Sequence, residues 1–165
     1  MAHKVKPIPE GYHTLTPFLS TTNAAKAIEF YKNAFGAHEI EKHAGPDGKI
    51  MHAVLKIGNS LIMLADEFPE HSCGASTPKS LKGTTVMFHL YVEDVDHAFE
   101  KAKKAGAEVT MPVADMFWGD RYGQLRDPFG HLWSIATHIA DYTPEEMEKG
   151  CQDFMDKDKS SKCCH

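Results

Sequence analysis

Two side chains in this sequence bring proton-transfer chemistry to places where a bound molecule could meet it. His89 lies in an alternating stretch, MFHLY, with Met87 and Tyr91 on its own side. Asp120 lies in FWGDRYG, between Trp118 and the pair Arg121 and Tyr122. An imidazole titrates near neutrality and a carboxylate can hold or release a proton. His89 with Asp120 is therefore a candidate acid and base that needs no metal. Trp118, Asp120, Arg121 and Tyr122 also read as a binding rim, an aromatic surface with a few polar groups to orient a small molecule. The plainer alternatives are an exposed Asp–Arg pair on an ordinary strand and a satisfied core histidine. His52 is a further candidate, on a strand whose alternation is weaker.

Other chemistries lack their residues. There is no Gly-rich phosphate loop, no serine-hydrolase elbow and no basic stripe for nucleic acid. The four cysteines, at 73, 151, 163 and 164, show no C-x-x-C spacing, and three fall in the tail. That is not a disulfide framework, and a reducing cytoplasm is the expected compartment. Cys73 has no neighbouring base to make it a nucleophile. The Cys163-Cys164-His165 end offers no closed metal site.

The elements that must position these groups come in a doubled unit. Residues 14–35 and 85–105 each read as a short strand followed at once by an amphipathic helix. Ala27-Ile28-Glu29 matches Ala98-Phe99-Glu100 at an offset of 98 − 27 = 71. Gly58 to Ala65 mirrors Gly130 to Ala136. The expectation is an α+β chain of two βαβββ modules, whose curved mixed sheets surround a cavity with helices on the outer faces. A leader covers 1–12, the first module 13–66, a linker 67–84 and the second module 85–138. Strands are expected at 14–20, 38–44, 49–57, 60–66, 85–92, 108–113, 117–126 and 131–138. Thr22 or Asn23 caps the first helix, and Asp94 or Asp96 starts the second. Thr143-Pro144-Glu145-Glu146 opens a last helix reaching Met155, and residues 156–165 form a disordered tail.

Alternation sorts each strand into two faces. Val86, Phe88, Leu90 and Val92 form an apolar face to lie under a helix, against the mixed set Met87, His89 and Tyr91. Likewise Thr16 and Phe18, Met63, and Ser134 fall on the semi-polar side of their strands. A cavity lined this way suits a small organic ligand. With 165 residues and a net charge of −5, the chain can build its own core and is a poor match for nucleic acid or an anionic membrane. No apolar run approaches the roughly 20 residues that span a bilayer.

The stretches AIEFYKNAFGA (27–37), HLYVEDVDHAFEKAKKAGAEV (89–109) and RDPFGHLWSIA (126–136) resemble the vicinal-oxygen-chelate superfamily. That superfamily holds glyoxalase I, extradiol dioxygenases, fosfomycin-resistance enzymes and bleomycin-resistance proteins. IMHAVLKIG (50–58) and FWGDRYGQL (117–125) look most like its PhnB-like and bleomycin-resistance-like branch. The resemblance implies a homodimer whose subunits together complete the cavities. It also places the metal ligands of metal-using members at Thr16, Met63, Met87 and Ser134. None of these is the imidazole or carboxylate that a catalytic divalent ion takes. A shifted site using His89, His52 and His138 is the competing reading. Three functions stay open: metal-free binding of a small amphipathic molecule with no cofactor, a glyoxalase-like metal-dependent lyase or isomerase, and acid–base catalysis by His89 and Asp120.

Overall fold

A computed structural model describes residues 5–69 and 75–162 of the chain. The order is β1 (Phe18–Thr21), α1 (Ala24–Phe35), β2 (His38–Ala44), β3 (Ile50–Ile57), β4 (Ser60–Asp66) and α2 (Pro78–Leu81). Then come β5 (Met87–Tyr91), α3 (Val95–Lys104), β6 (Glu108–Asp115), β7 (Asp120–Arg126), β8 (Leu132–His138) and α4 (Pro144–Lys162). The two sheets run β1-β4-β3-β2 and β5-β8-β7-β6. In each, the first strand lies parallel to the last and the other pairs are antiparallel. These are the two expected βαβββ modules in an α+β chain.

The repeat holds down to single hydrogen bonds. Asn23 and Asp94 cap their helices by accepting from Lys26 N and His97 N, each 2.9 Å away. One residue on, Ala24 N donates to the Asp66 carboxylate at 2.7 Å, and Val95 N donates to the Thr137 hydroxyl at 2.9 Å. Both pairings sit 71 residues apart (95 − 24 and 137 − 66). The end of the last strand thus satisfies a free amide at the helix start in either module. Asp66 accepts Ile50 N as well, at 2.7 Å, which fixes where β3 begins.

The faces that the sequence marks as apolar share one core. Ala27, Ile28, Tyr31 and Ala34 of α1 and Phe99 and Ala102 of α3 bury there, with Leu55, Leu64, Leu125, Trp133 and Ile135 from the sheets. Helix α1 reaches beyond its own module: Phe35 and Tyr31 lie 4.6 and 5.5 Å, ring to ring, from Trp133 of β8. The helices therefore sit inside a joint core, where an outer position around a shared cavity was expected. The semi-polar faces turn away from that core and stay open within one chain. The reason is hydrophobic area: α1 and α3 pack against each other as well as on their own sheets, so both modules bury apolar surface in one core.

Asp127 pins this arrangement. Its side chain is fully buried, and one oxygen accepts Phe129 N and His131 N, both at 2.9 Å. The other accepts the Tyr31 hydroxyl at 2.8 Å and Trp133 Nε1 at 3.0 Å. One carboxylate so joins helix α1 of the first module to the β7–β8 turn of the second. Burial opposes its charge, but His131, Trp133 and Tyr31 together hold its pKa below the ordinary value. Burial, and then the Asp127 charge, push the Tyr31 hydroxyl well above its ordinary value.

Several boundaries differ from expectation for local reasons. Strand β1 begins at Phe18, not at 14. Pro17 O accepts Met63 N at 2.8 Å, but proline has no N–H with which to carry the ladder further back. A turn, with Gly119 N donating to Met116 O and Gly119 at φ 95°, delays β7 to Asp120. The linker holds a short helix, α2, capped by Thr77 with Pro78 in its first turn. Helix α4 runs to Lys162, past the expected stop at Met155. A polar sequence forgoes burial but not helix, since extending an existing helix adds a hydrogen bond for each residue fixed. Cys73, Cys163, Cys164 and His165 lie outside the described residues.

Removing the Tyr31 hydroxyl in Tyr31→Phe is expected to cost about 1.5–3 kcal/mol in urea unfolding, the range for a bond to a charged group. Asp127→Ala, which strands buried donors, is expected to cost about 3–5 kcal/mol. Because the folded-state pKa of Asp127 is depressed, its contribution is complete above the unfolded value near 4 and fades as the pH falls below it. Acid titration of an Asp127→Asn chain checks this: the wild-type advantage should shrink as the pH falls below about 4.

Candidate functional site

Strand register gathers the chemistry on the open face of the second sheet. β5 and β8 pair His89 with Ser134, and β7 and β8 pair Gln124 with Ser134, Tyr122 with Ala136 and Asp120 with His138. Alternation along β7 puts Asp120, Tyr122 and Gln124 on this face, and Arg121, Gly123 and Leu125 on the helix side. Gly123 is needed there, because a Cβ would stand 2.7 Å from the Phe99 ring.

Asp120 organises the face. It is 3% exposed, yet the groups that donate to it reach solvent. One oxygen accepts the Tyr91 hydroxyl at 3.1 Å and Trp118 Nε1 at 3.0 Å. The other lies 2.9 Å from His138 Nδ1, while His138 Nε2 lies 3.0 Å from Asp141. Two carboxylates on the two ring nitrogens favour the imidazolium, in which both nitrogens donate. The bond to Asp120, and then that to Asp141, raise the His138 pKa. The Asp120 bond likewise raises that of Tyr91, with burial adding to it.

Beside this hub, His89 Nδ1 shares a 2.7 Å hydrogen bond with the Ser134 hydroxyl. The His89 ring stacks near Tyr122 at 6.0 Å and meets the Tyr91 ring edge at 4.5 Å. Gln124 Nε2 donates to the Tyr122 hydroxyl at 2.9 Å, which leaves the phenolic proton for another acceptor. Met111, Met116 and Trp118 pack around Tyr122 and Ala136 as a small apolar floor. The face thus offers aromatic surface, a hydroxyl–imidazole pair and an amide, held in place by their own hydrogen bonds.

The other expected residues fall in three places. Phe18, Met63 and His52 lie on the open face of the first sheet, where Phe18 pairs with Met63 and its ring stacks on His52 at 6.0 Å. His52 Nε2 also lies 3.4 Å from Glu41. Thr16 precedes β1, and its hydroxyl donates to His13 O at 3.3 Å. Met87 opens β5 opposite Leu132 and is exposed. Arg121 does not join Asp120 and Tyr122. It turns to the helix side, where its guanidinium donates twice to Asp96 of α3, at 2.7 and 2.8 Å, and once to Asp115 at 2.8 Å. His89 and Asp120 share a face, but each is bonded to other partners. Gln124 and His138 belong to the site although sequence reasoning did not join them to Asp120. Alternation from Asp120 finds Gln124, whereas the place of His138 needs the β7–β8 register.

The four positions at which the resemblance places metal ligands hold Thr16, Met63, Met87 and Ser134. Two thioethers and two neutral hydroxyls are a poor donor set for zinc, nickel, iron or manganese, and the residues do not fit the family ion. The shifted alternative also lacks its geometry: among the described residues no three His, Cys, Asp or Glu side chains converge as a metal site. No helix among them is long and apolar enough to cross a membrane.

The chain is similar to Rv0887c of Mycobacterium tuberculosis, at 46% identity over 135 residues, 81% of this chain and 79% of that protein. Its fold is similar to that of TioX from Micromonospora sp. ML1, with a TM-score of 0.62 and 28% identity over 77% of this chain and 99% of that one. FosX from Listeria monocytogenes, solved with manganese(II) and sulfate, shares the fold at a TM-score of 0.55 and 21% identity, over 83% of this chain and 95% of that one. The sequence profile described as Glyoxalase/Bleomycin resistance protein/Dioxygenase superfamily matches residues 12–135. With that profile covering most of its length, this chain belongs to the glyoxalase/bleomycin resistance protein/dioxygenase superfamily.

Proposed function

We propose that the chain binds a small, planar organic molecule on the open face of the second sheet, without a metal, to sequester or carry it. The observation that carries the proposal is Asp120: a buried carboxylate that holds Tyr91, Trp118 and His138 around an aromatic surface open to solvent. A buried charge is costly unless hydrogen-bonded, and here its partners are ligand-facing groups. The arrangement fixes a binding surface in advance, which lowers the cost of ordering it around a guest. The donor types at Thr16, Met63, Met87 and Ser134 support metal independence; FosX, at 21% identity, shares the fold and binds manganese.

A homodimer belongs to the same proposal. The open faces carry exposed Phe18, Met87 and Tyr91, and a second copy set against them would wall in the ligand. Acid–base turnover by His89 and Asp120 finds less support. Asp120 already accepts from three side chains, and His89 is bonded to Ser134, 2.7 Å away, not to Asp120.

Elemental analysis of protein purified without chelator is expected to give well under one transition-metal ion per chain. One ion per chain, retained through dialysis, would replace this reading with a metal-dependent lyase or isomerase. For binding, native mass spectrometry should detect an organic molecule carried through purification. Tyr91→Phe, at an exposed position, should reduce its occupancy by about five- to tenfold, the worth of one hydrogen bond near 1 kcal/mol. Equal occupancy in Tyr91→Phe would place the ligand elsewhere. The folded-state pKa of His138 is raised, so its bonds to Asp120 and Asp141 contribute fully below the ordinary histidine value and are lost as the pH climbs past the raised one. Melting curves should therefore show His138→Gln less stable than wild type near pH 5.5 and equal to it at about pH 9.

A further inference from the structure

A second cavity of about 800 Å³ lies away from the Asp120 face, where the segments leading into β1 and β5 approach the linker helix. Its walls are apolar: Leu15, Phe18, Leu81, Val86 and Phe88. Of the described residues lining it, His131 alone is ionisable, and none is acidic. His131 is 6% exposed, and its ring packs beside Phe88 at 6.2 Å. Its Nδ1 faces the Asp127 carboxylate at 3.3 Å but makes no well-aligned hydrogen bond, since Asp127 already accepts four others. Nε2, on the far side of the ring, has no partner among the described residues. A largely buried imidazole in the lining of an apolar cavity thus has Nδ1 buried without a hydrogen bond and Nε2 without a partner among the described residues.

We infer that this cavity is a binding site for an amphipathic carboxylic acid, its apolar body against Leu15, Val86 and Phe88 and its carboxyl group on His131 Nε2. Asp127 faces Nδ1, which leaves Nε2 as the ring nitrogen free to take a ligand. The ligand arrives as its carboxylate, so no ligand bond breaks, and the second ring proton is taken up from solvent on binding. The carboxylate accepts the Nε2–H, and Asp127 faces the ring from behind. An amine finds no acidic partner among the described lining residues, and an alcohol makes only the weaker neutral bond. The cavity volume lies within the range of ordinary small-molecule sites. The site is independent of the Asp120 face, so either can fail without the other.

Calorimetric titration with decanoate and with decanol tests the assignment. Decanoate is expected to bind one per chain, about tenfold more tightly than decanol, as a charge-assisted bond exceeds a neutral one. His131→Phe keeps the ring shape but removes the nitrogen, and should abolish the preference for the acid. Val86→Glu sets a repelling carboxylate on an exposed wall position without touching the core, and should weaken decanoate at least tenfold while sparing decanol. If His131→Phe does not fold, Val86→Glu decides alone. Equal affinity for acid and alcohol, no loss in Val86→Glu, or no decanoate binding at millimolar concentration would each overturn the inference.

Discussion

The carboxylate of Asp127 is the constraint from which the rest of the architecture follows. Two βαβββ modules with one apolar face each can pack in several ways. A buried anion that takes donors from helix α1 and from the β7–β8 turn leaves one. Removing those donors from water is tolerable only if all are aligned at once, so the contact fixes geometry more than it adds net stability. Around it the rings of Tyr31, Phe35 and Trp133 close the joint core. With the helix sides committed to each other, the two semi-polar faces have nowhere to go but outward.

That outward turn gives the second carboxylate, Asp120, donors that reach solvent, where those of Asp127 are buried. Both are almost fully buried and both collect donors. The donors of Asp127 are themselves in the core, whereas Tyr91 and His138 stand at the surface. The same device, a charge whose hydrogen bonds set side-chain directions, closes an interface in one case and prepares a binding surface in the other. A shared scaffold leaves the chemistry on the open face free to differ, and the positions where the resemblance places metal ligands hold Thr16, Met63, Met87 and Ser134.

Much of this was legible in the sequence because a duplication is read twice. The 71-residue offset predicts both modules, and the bonds of Asp66 and Thr137 to successive helix starts repeat it in atomic detail. Alternation correctly set His89 apart from Phe88 and Leu90. It also separates Arg121 from Asp120, and grouping those two as one rim ignored the period of the strand. What periodicity cannot give is long-range pairing. That Tyr31 reaches Asp127, 96 residues away, and that His138 lies across from Asp120, depend on how strands and modules meet. The early end expected for α4 came from equating low hydrophobicity with disorder, although a capped helix needs no core to extend.

In the proposed reading a second copy of the chain completes the open faces. Sedimentation equilibrium measures this directly. The chain of 18.4 kDa should sediment at twice that mass, 2 × 18.4 = 36.8 kDa, at micromolar concentration. Phe18→Asp, which sets a charge on the open face of the first sheet without entering the core, should return it to 18.4 kDa. A wild-type chain that stays at 18.4 kDa at all concentrations, while still carrying its organic ligand, would contradict it.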